Sequence, residues 1–258
     1  NFGVRKRLLE YDDVMNKQRT VIYEKRRHAL MGERLGMDIA DMIWDRVCHI
    51  MESRDYQNCR EQFLEILAME FPLPQDRYDS GNMDELAEEV YQKAMERFKQ
   101  KCHIISTNAH KAVSMIVENP DQMPRYENIM VPVVDGRRVY QVSCNIQEAY
   151  ESQSQAVVTA FHKSLILHTI DDAWKENLRL LDELKHSVHN ASYEQKDPLL
   201  IYKLESVKYF DQMVNKINDR IVSVLMRAPL PELQIRQAEA PQPPRPQQRL
   251  QEGHGDVH

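Results

Sequence analysis

Two long apolar stripes separated by a few polar residues constrain this chain more than any other feature. The first is predicted to be a helix over about residues 155–188, the second over about 198–226, with His189-Asn190-Ala191-Ser192-Tyr193-Glu194-Gln195-Lys196-Asp197 between them. In the first, Phe161, Leu165, Leu167, Ile170, Trp174, Leu178, Leu181 and Val188 form the stripe. In the second, Val207, Phe210, Val214, Ile217, Ile221 and Val224 recur at alternating three- and four-residue spacings, one narrow seam on a helix. Asp197 can cap free backbone N–H groups and Pro198 fits a first helical position, so the second helix should start there. Two such seams on a short connection pack antiparallel, and arms of about thirty residues make a rod roughly 45 Å long. Trp174, Leu178 and Phe210 are the expected packing anchors of that hairpin. An ordinary helical hairpin in a core accounts for the stripes, but not for a tip whose one aromatic is Tyr193. The shape suits a lever or a probe better than an active site.

At 258 residues the chain can bury a real core in one or two domains. It opens on Asn1 rather than Met, as expected of a piece of something longer. A net charge of −6 argues against a general nucleic-acid binder. Residues 1–34 nevertheless carry nine Lys/Arg against five Asp/Glu. Cys48, Cys59, Cys102 and Cys144 are widely spaced with no CxxC pair, the pattern of reduced thiols rather than of a disulfide framework or a zinc site. No apolar run reaches the roughly 18 residues of a membrane span, and no signal peptide is visible.

Along the chain, helices are predicted over about 4–30, 38–52, 56–71 and 83–118. Gly32 and Gly36 are expected to close the first, Pro72-Leu73-Pro74 the third, and a polar turn-rich stretch covers 75–82. Asp135-Gly136 between β-branched runs predicts a hairpin over 128–145. A lone two-stranded ribbon is marginal, so it must lean on a helix. Beyond residue 228 six of the chain's 12 prolines mix with Gln, Arg and Glu, the composition of an extended linker. The fold class is therefore mainly α with one small β-hairpin.

Chemistry is hard to find. There is no GxxxxGK[ST], HExxH or GxSxG string. His186/His189 and His254/His258 give two ligands each without a third, so no metal site is expected. The acidic pairs Asp12-Asp13 and Asp171-Asp172 read as solvated or Arg-paired helix faces rather than as acid/base catalysts. No catalytic residues are assigned.

Three strings do carry a resemblance. Val4-Arg5-Lys6-Arg7-Leu8-Leu9-Glu10-Tyr11-Asp12-Asp13-Val14-Met15-Asn16-Lys17-Gln18-Arg19 is the first, and Thr169-Ile170-Asp171-Asp172-Ala173-Trp174-Lys175-Glu176-Asn177-Leu178 the second. The third is Tyr193-Glu194-Gln195-Lys196-Asp197-Pro198, followed by Tyr202-Lys203 and Glu205. Together they resemble the helical scaffold and wing region of the SecA family, ATP-driven motors of bacterial preprotein export, over about residues 1–227. The resemblance implies a scaffold helix over 1–31, a helical wing over 32–154, a two-helix finger over 155–227 and a disordered linker over 228–258. It implies that Arg5, Arg7, Glu10, Tyr11, Asp12, Asp13, Gln18 and Arg19 lie where motor domains dock. It also implies that Tyr193, with His189, Asn190 and Ser192, forms a fingertip that touches a moving polypeptide, shaped by Gln195, Lys196, Asp197 and Pro198. Partners implied are the SecYEG channel, preproteins, and the motor and preprotein-binding domains; anionic lipid, ribosome and homodimer contacts belong to the same picture. ATP and magnesium would bind motor domains outside this sequence, so no cofactor and no ATP hydrolysis are expected of it alone. The implied location is cytoplasmic, at the inner face of the cytoplasmic membrane.

Two features depart from the family pattern. Ser187-Val188-His189-Asn190-Ala191-Ser192 replaces a tip richer in Gly, Leu and Arg, and the hairpin at 128–145 looks like an insertion in the wing. The family's C-terminal Cys/His zinc module has no counterpart before His258. Two other readings stay open: a scaffold that docks and regulates a motor without touching substrate, and an RNA- or anionic-lipid-binding helix using Arg5, Lys6, Arg7, Lys17, Arg19, Lys25, Arg26 and Arg27.

Overall fold

The computed structural model describes residues 2–32, 34–119, 127–134, 139–190 and 197–227. Within them the order is α1 (Phe2–Met31), α2 (Leu35–Met51), α3 (Tyr56–Leu67), α4 (Gln75–Ser80), α5 (Met83–Glu118), β1 (Asn128–Val134), β2 (Val139–Asn145), α6 (Ile146–Glu151), α7 (Gln155–Asn190) and α8 (Pro198–Arg227). The mainly helical class with a small antiparallel hairpin is as the sequence implied. The linker over 228–258 lies outside the described residues.

Local chemistry sets most boundaries. Asp55 and Asn82 cap α3 and α5, each side chain accepting from a backbone N–H of the first turn, at 3.1 and 2.9 Å. Gly32 ends α1 at φ +75, its N–H donating to the His28 carbonyl at 3.0 Å. A Cβ there would run into the Lys163 side chain as well as strain the backbone. Gly36, expected beside it as a stop, sits inside the first turn of α2 instead.

Three boundaries depart from expectation. α3 ends at Leu67 rather than near 71, because Ala68 turns left-handed at φ 51. The chain then folds back, so that Phe71 meets Phe63 edge-on at 5.4 Å and Tyr56 at 5.7 Å. The stretch after Pro74 forms α4, anchored by Tyr78, which is buried with its hydroxyl 3.4 Å from Cys59 Sγ. A further short helix, α6, starts at Asn145, whose side chain accepts from the N–H groups of Gln147 and Glu148. Gln153 and Ser154, both at positive φ, then turn the chain into α7.

α7 and α8 pack antiparallel as the spine, and α1 runs beside both. α2, α3 and α5 pack on α8, and β2 lies against α7. The hairpin is in simple register, Asn128 opposite Asn145 and Val131 opposite Val142. Along β2, Tyr140, Val142 and Cys144 face inward, with Tyr140 6.2 Å from Phe161, so the ribbon does lean on a helix. The Asp135-Gly136 turn lies outside the described residues.

The buried side chains form two clusters. The larger gathers α2, α3, α5, the hairpin and the lower parts of α1, α7 and α8 around Phe63, Phe161, Ile39 and Ile43. The smaller holds Tyr11, Leu181, Leu184, Val188 and Tyr202, near the far end of the rod. No helix among the described residues is long and apolar enough to cross a membrane.

Candidate functional site

The rod formed by α1, α7 and α8 is the functional candidate. α1 is held at three levels. At its base Arg26 makes two hydrogen bonds to Asp171 of α7, at 2.7 and 3.0 Å. In the middle Gln18 Nε2 donates to the Ser206 carbonyl of α8 at 2.9 Å, and Asn177 Nδ2 of α7 donates to Gln18 Oε1 at 3.1 Å. Toward the far end Tyr11 packs edge-on against Tyr202 at 4.8 Å, and the Lys185 ammonium lies 5.6 Å from the Tyr11 ring centre.

The middle level separates the two clusters. On every helix one polar residue stands between apolar levels: Gln18 between Tyr11 and Ile22, Asn177 between Trp174 and Leu181, Ser206 between Tyr202 and Met213. All three are buried, Asn177 to 1% exposure, and Asn177 Oδ1 has no hydrogen-bond partner among the described residues. A buried amide oxygen without a donor costs free energy that an apolar side chain would not, so the layer is a place where the rod gives up stability.

The docking residues expected on α1 divide by direction. Arg5, Asp12 and Asp13 are exposed, Glu10 and Arg19 partly so. Asp13 pairs with Lys17 at 3.0 Å, and Arg19 donates to Asn16 at 3.3 Å. Tyr11 and Gln18 point the other way, into the rod, where their contacts are to α7 and α8 of this chain. The Arg7 side chain lies outside the described set.

At the tip, α7 continues through Asn190, so His189 and Asn190 belong to the helix rather than to the connection; their side chains are outside the described set. Ser192, Tyr193, Gln195 and Lys196 lie outside the described residues altogether. Asp197 accepts from the Leu199 N–H at 3.1 Å and Pro198 is the first residue of α8, which is the capping the sequence suggested. Trp174 is buried, while Leu178 and Phe210 are half-buried on the main cluster. The seam of α8 is rotated from its expected position near the tip. Tyr202, Ser206 and Met213 face the rod, and Val207 is 56% exposed.

A second link joins the rod to the wing. Arg46 of α2, 4% exposed, donates to Asp219 at 2.8 Å and to Asn215 at 3.1 Å, both on α8. Nothing in the sequence pattern marked this pair. The Asn177 layer did leave a signal, a polar residue between the apolar levels of Trp174 and Leu181.

One pair resembles a nucleophile and its base. Cys102 Sγ lies 3.8 Å from His162 Nε2. Burial pushes the thiol up to about 11 and the imidazole down to about 4, so both are neutral near pH 7 and the thiolate–imidazolium form is suppressed. Among the described residues no three His, Cys, Asp or Glu side chains gather as a metal site.

The chain matches the SecA Wing and Scaffold domain over residues 1–229. A protein translocase subunit SecA from Bacteroides thetaiotaomicron is 59% identical over 231 residues, covering 90% of this chain and 21% of that protein. The one from Phocaeicola vulgatus is 54% identical over 260 residues, covering 100% of this chain and 23% of its own length. The one from Bacteroides fragilis is 58% identical over 232 residues, covering 90% and 21%. The chain thus spans about a fifth of the length of these relatives. With the match running the length of α1 through α8, this chain belongs to the SecA wing and scaffold domain family.

Proposed function

We propose that the chain is the coupling module of a protein translocase, passing displacement of α1 to the far end of the α7–α8 finger. The observation that carries this is the three-level attachment of α1. From Arg26 to Tyr11 it is tied to the finger over about 22 Å of helix, so α1 cannot shift along its axis without loading both arms. In this reading motor domains elsewhere in the parent protein, which bind ATP and magnesium, act on the exposed face of α1 that carries Arg5, Glu10, Asp12, Asp13 and Arg19. The connection with Tyr193 touches a preprotein at the mouth of the SecYEG channel. A tyrosine suits a promiscuous contact, offering apolar area and one hydroxyl with few rotatable bonds to order. The protein works on the cytoplasmic side, peripherally at the membrane. ATP hydrolysis belongs to the parent and not to this segment.

The test is a photo-reactive group in place of Tyr193 in an intact translocase holding a stalled preprotein. Adducts spread along the preprotein are expected. Adducts confined to motor or channel, with transport intact, would instead make the finger a scaffold that regulates the motor.

A further inference from the structure

α1 is held differently on the two sides of the Gln18–Asn177 bond. On the base side, Ile22 and Ala29 are 1% and 2% exposed in the main cluster. Residues 32–34 then lead straight into α2, whose Ile39 and Ile43 are fully buried. That part of α1 cannot leave without opening the core. On the far side, Tyr11 is the α1 member of a cluster of five buried side chains, with Val14 and Met15 partly covered beside it. Lys185 approaches Asp12 there at 3.8 Å in a half-exposed pair, a contact worth little.

The layer between is where separation costs least. The buried apolar clusters do not join across it. Gln18 makes one hydrogen bond to the Ser206 carbonyl and takes one from Asn177, and water can replace both. Asn177 Oδ1 gains a donor that it lacks in the packed rod. An apolar layer would resist instead, since exposing it costs free energy in proportion to its area. A second feature lies at the same level, on the exposed face of α1. Thr20 Oγ1 donates to the Asn16 carbonyl one turn back, at 3.0 Å. Such back-bonds compete with the main-chain ladder and bend helices.

We propose that α1 is a hinged helix: residues 5–17 swing off the α7–α8 finger as one unit while 22–31 stay in the core, with the Gln18–Asn177–Ser206 layer as the line of separation and Thr20 at the hinge. Release bares Tyr202, Leu181 and Leu184, so the covering of the finger's inner face becomes adjustable. The motion is sideways rather than along the axis, and it is independent of what Tyr193 touches.

Hydrogen exchange of the whole chain, followed by mass spectrometry, tests the hinge. Relative to their intrinsic rates, amides of residues 9–17 should exchange at least about tenfold faster than those of 22–31, with a step at Gln18. Ile39→Val trims a fully buried core side chain. It should speed exchange over 22–31 several-fold and leave 9–17 unchanged, because the outer unit opens without the core. Gln18→Leu/Asn177→Leu joins the two clusters and should slow 9–17 about tenfold, toward the rate of 22–31. A smooth gradient along α1, which is what end fraying gives, overturns the proposal. So does Ile39→Val speeding both segments alike, or a double variant that keeps the step or loses the fold.

Discussion

Replacing Gln18 and Asn177 one at a time and then together tests the polar layer. Gln18→Leu removes an acceptor from Asn177 Nδ2 and a donor from the Ser206 carbonyl. Asn177 is 1% exposed, so its amide then has neither of its polar atoms partnered and no route to water. A buried group left unsatisfied costs about 1–3 kcal/mol, and the shape change from Gln to branched Leu adds about 1 kcal/mol, giving a loss of about 2–4 kcal/mol. Asn177→Leu alone deletes the orphaned Oδ1 but strands Gln18 Oε1, and should cost about 1–2 kcal/mol. The double variant removes both ends of the bond and joins the two apolar clusters into one seam. It should be as stable as the parent or about 1 kcal/mol more so, because replacing both partners with apolar groups is near-neutral or favourable. Urea unfolding of the four proteins, followed by far-UV circular dichroism, gives the cycle directly. The signature is strong non-additivity, a double variant more stable than either single one. An additive double variant would refute the account of Gln18 and Asn177 as one buried unit.

Other consequences follow from the same contacts. Arg46→Ala should cost about 1–3 kcal/mol, less than a fully buried pair because Asp219 stays 41% exposed and can rehydrate; a midpoint unchanged in urea would count against the α2–α8 link. Asp171→Asn should change stability by less than about 1 kcal/mol, since Arg26 and Asp171 are both well exposed, and a larger loss by thermal melting would contradict that reading. His162 is held down to about 4 by burial, so the fold favours its neutral form: its contribution is full above the ordinary value near 6.5 and is lost as pH falls from there toward 4. His162→Gln should flatten the stability–pH curve in that window, and an unchanged slope in acid titration would show that the imidazole is protonated in place. Ile217→Pro, in the buried part of α8, should break the helix at a cost of about 3 kcal/mol or more. In an intact translocase it should let ATP turnover continue while transport fails, and unaltered transport would count against coupling through the rod.

The hairpin of long helices, the long α5 and the DG-centred ribbon were legible because each rests on a repeating local signal. What escaped the pattern depended on neighbours. Val207 belongs to a clean three-four repeat, yet it is exposed because α1 and α7 pack on the face of α8 that carries Tyr202 and Ser206. α4 and α6 are single turns and a half, too short for periodicity, and Ala68 turns left-handed in a position that no glycine marks. Of the expected docking residues, Tyr11 falls on the three-four apolar repeat of α1 with Leu8, Met15 and Ile22, whereas nothing set Gln18 apart from its exposed polar neighbours in the string. A helix of mixed charge shows which residues are polar, not which side faces a partner within the same chain.

The two ends of α8 differ in how they are held. From Ile217 to Met226 the helix is buried on several sides, with Val222, Val224, Leu225 and Met226 all covered and α2, α3 and α5 packed around it. Beyond Ser206, toward Pro198, Tyr202 and its small cluster are its main anchorage. Mechanically this is a cantilever, built in at one end and propped partway by α1. The deflection of such a beam under an end load grows far faster than in proportion to its overhang. Adding a heptad to both arms beyond Asn177 and Ser206 should therefore raise end compliance steeply while leaving the encased root untouched.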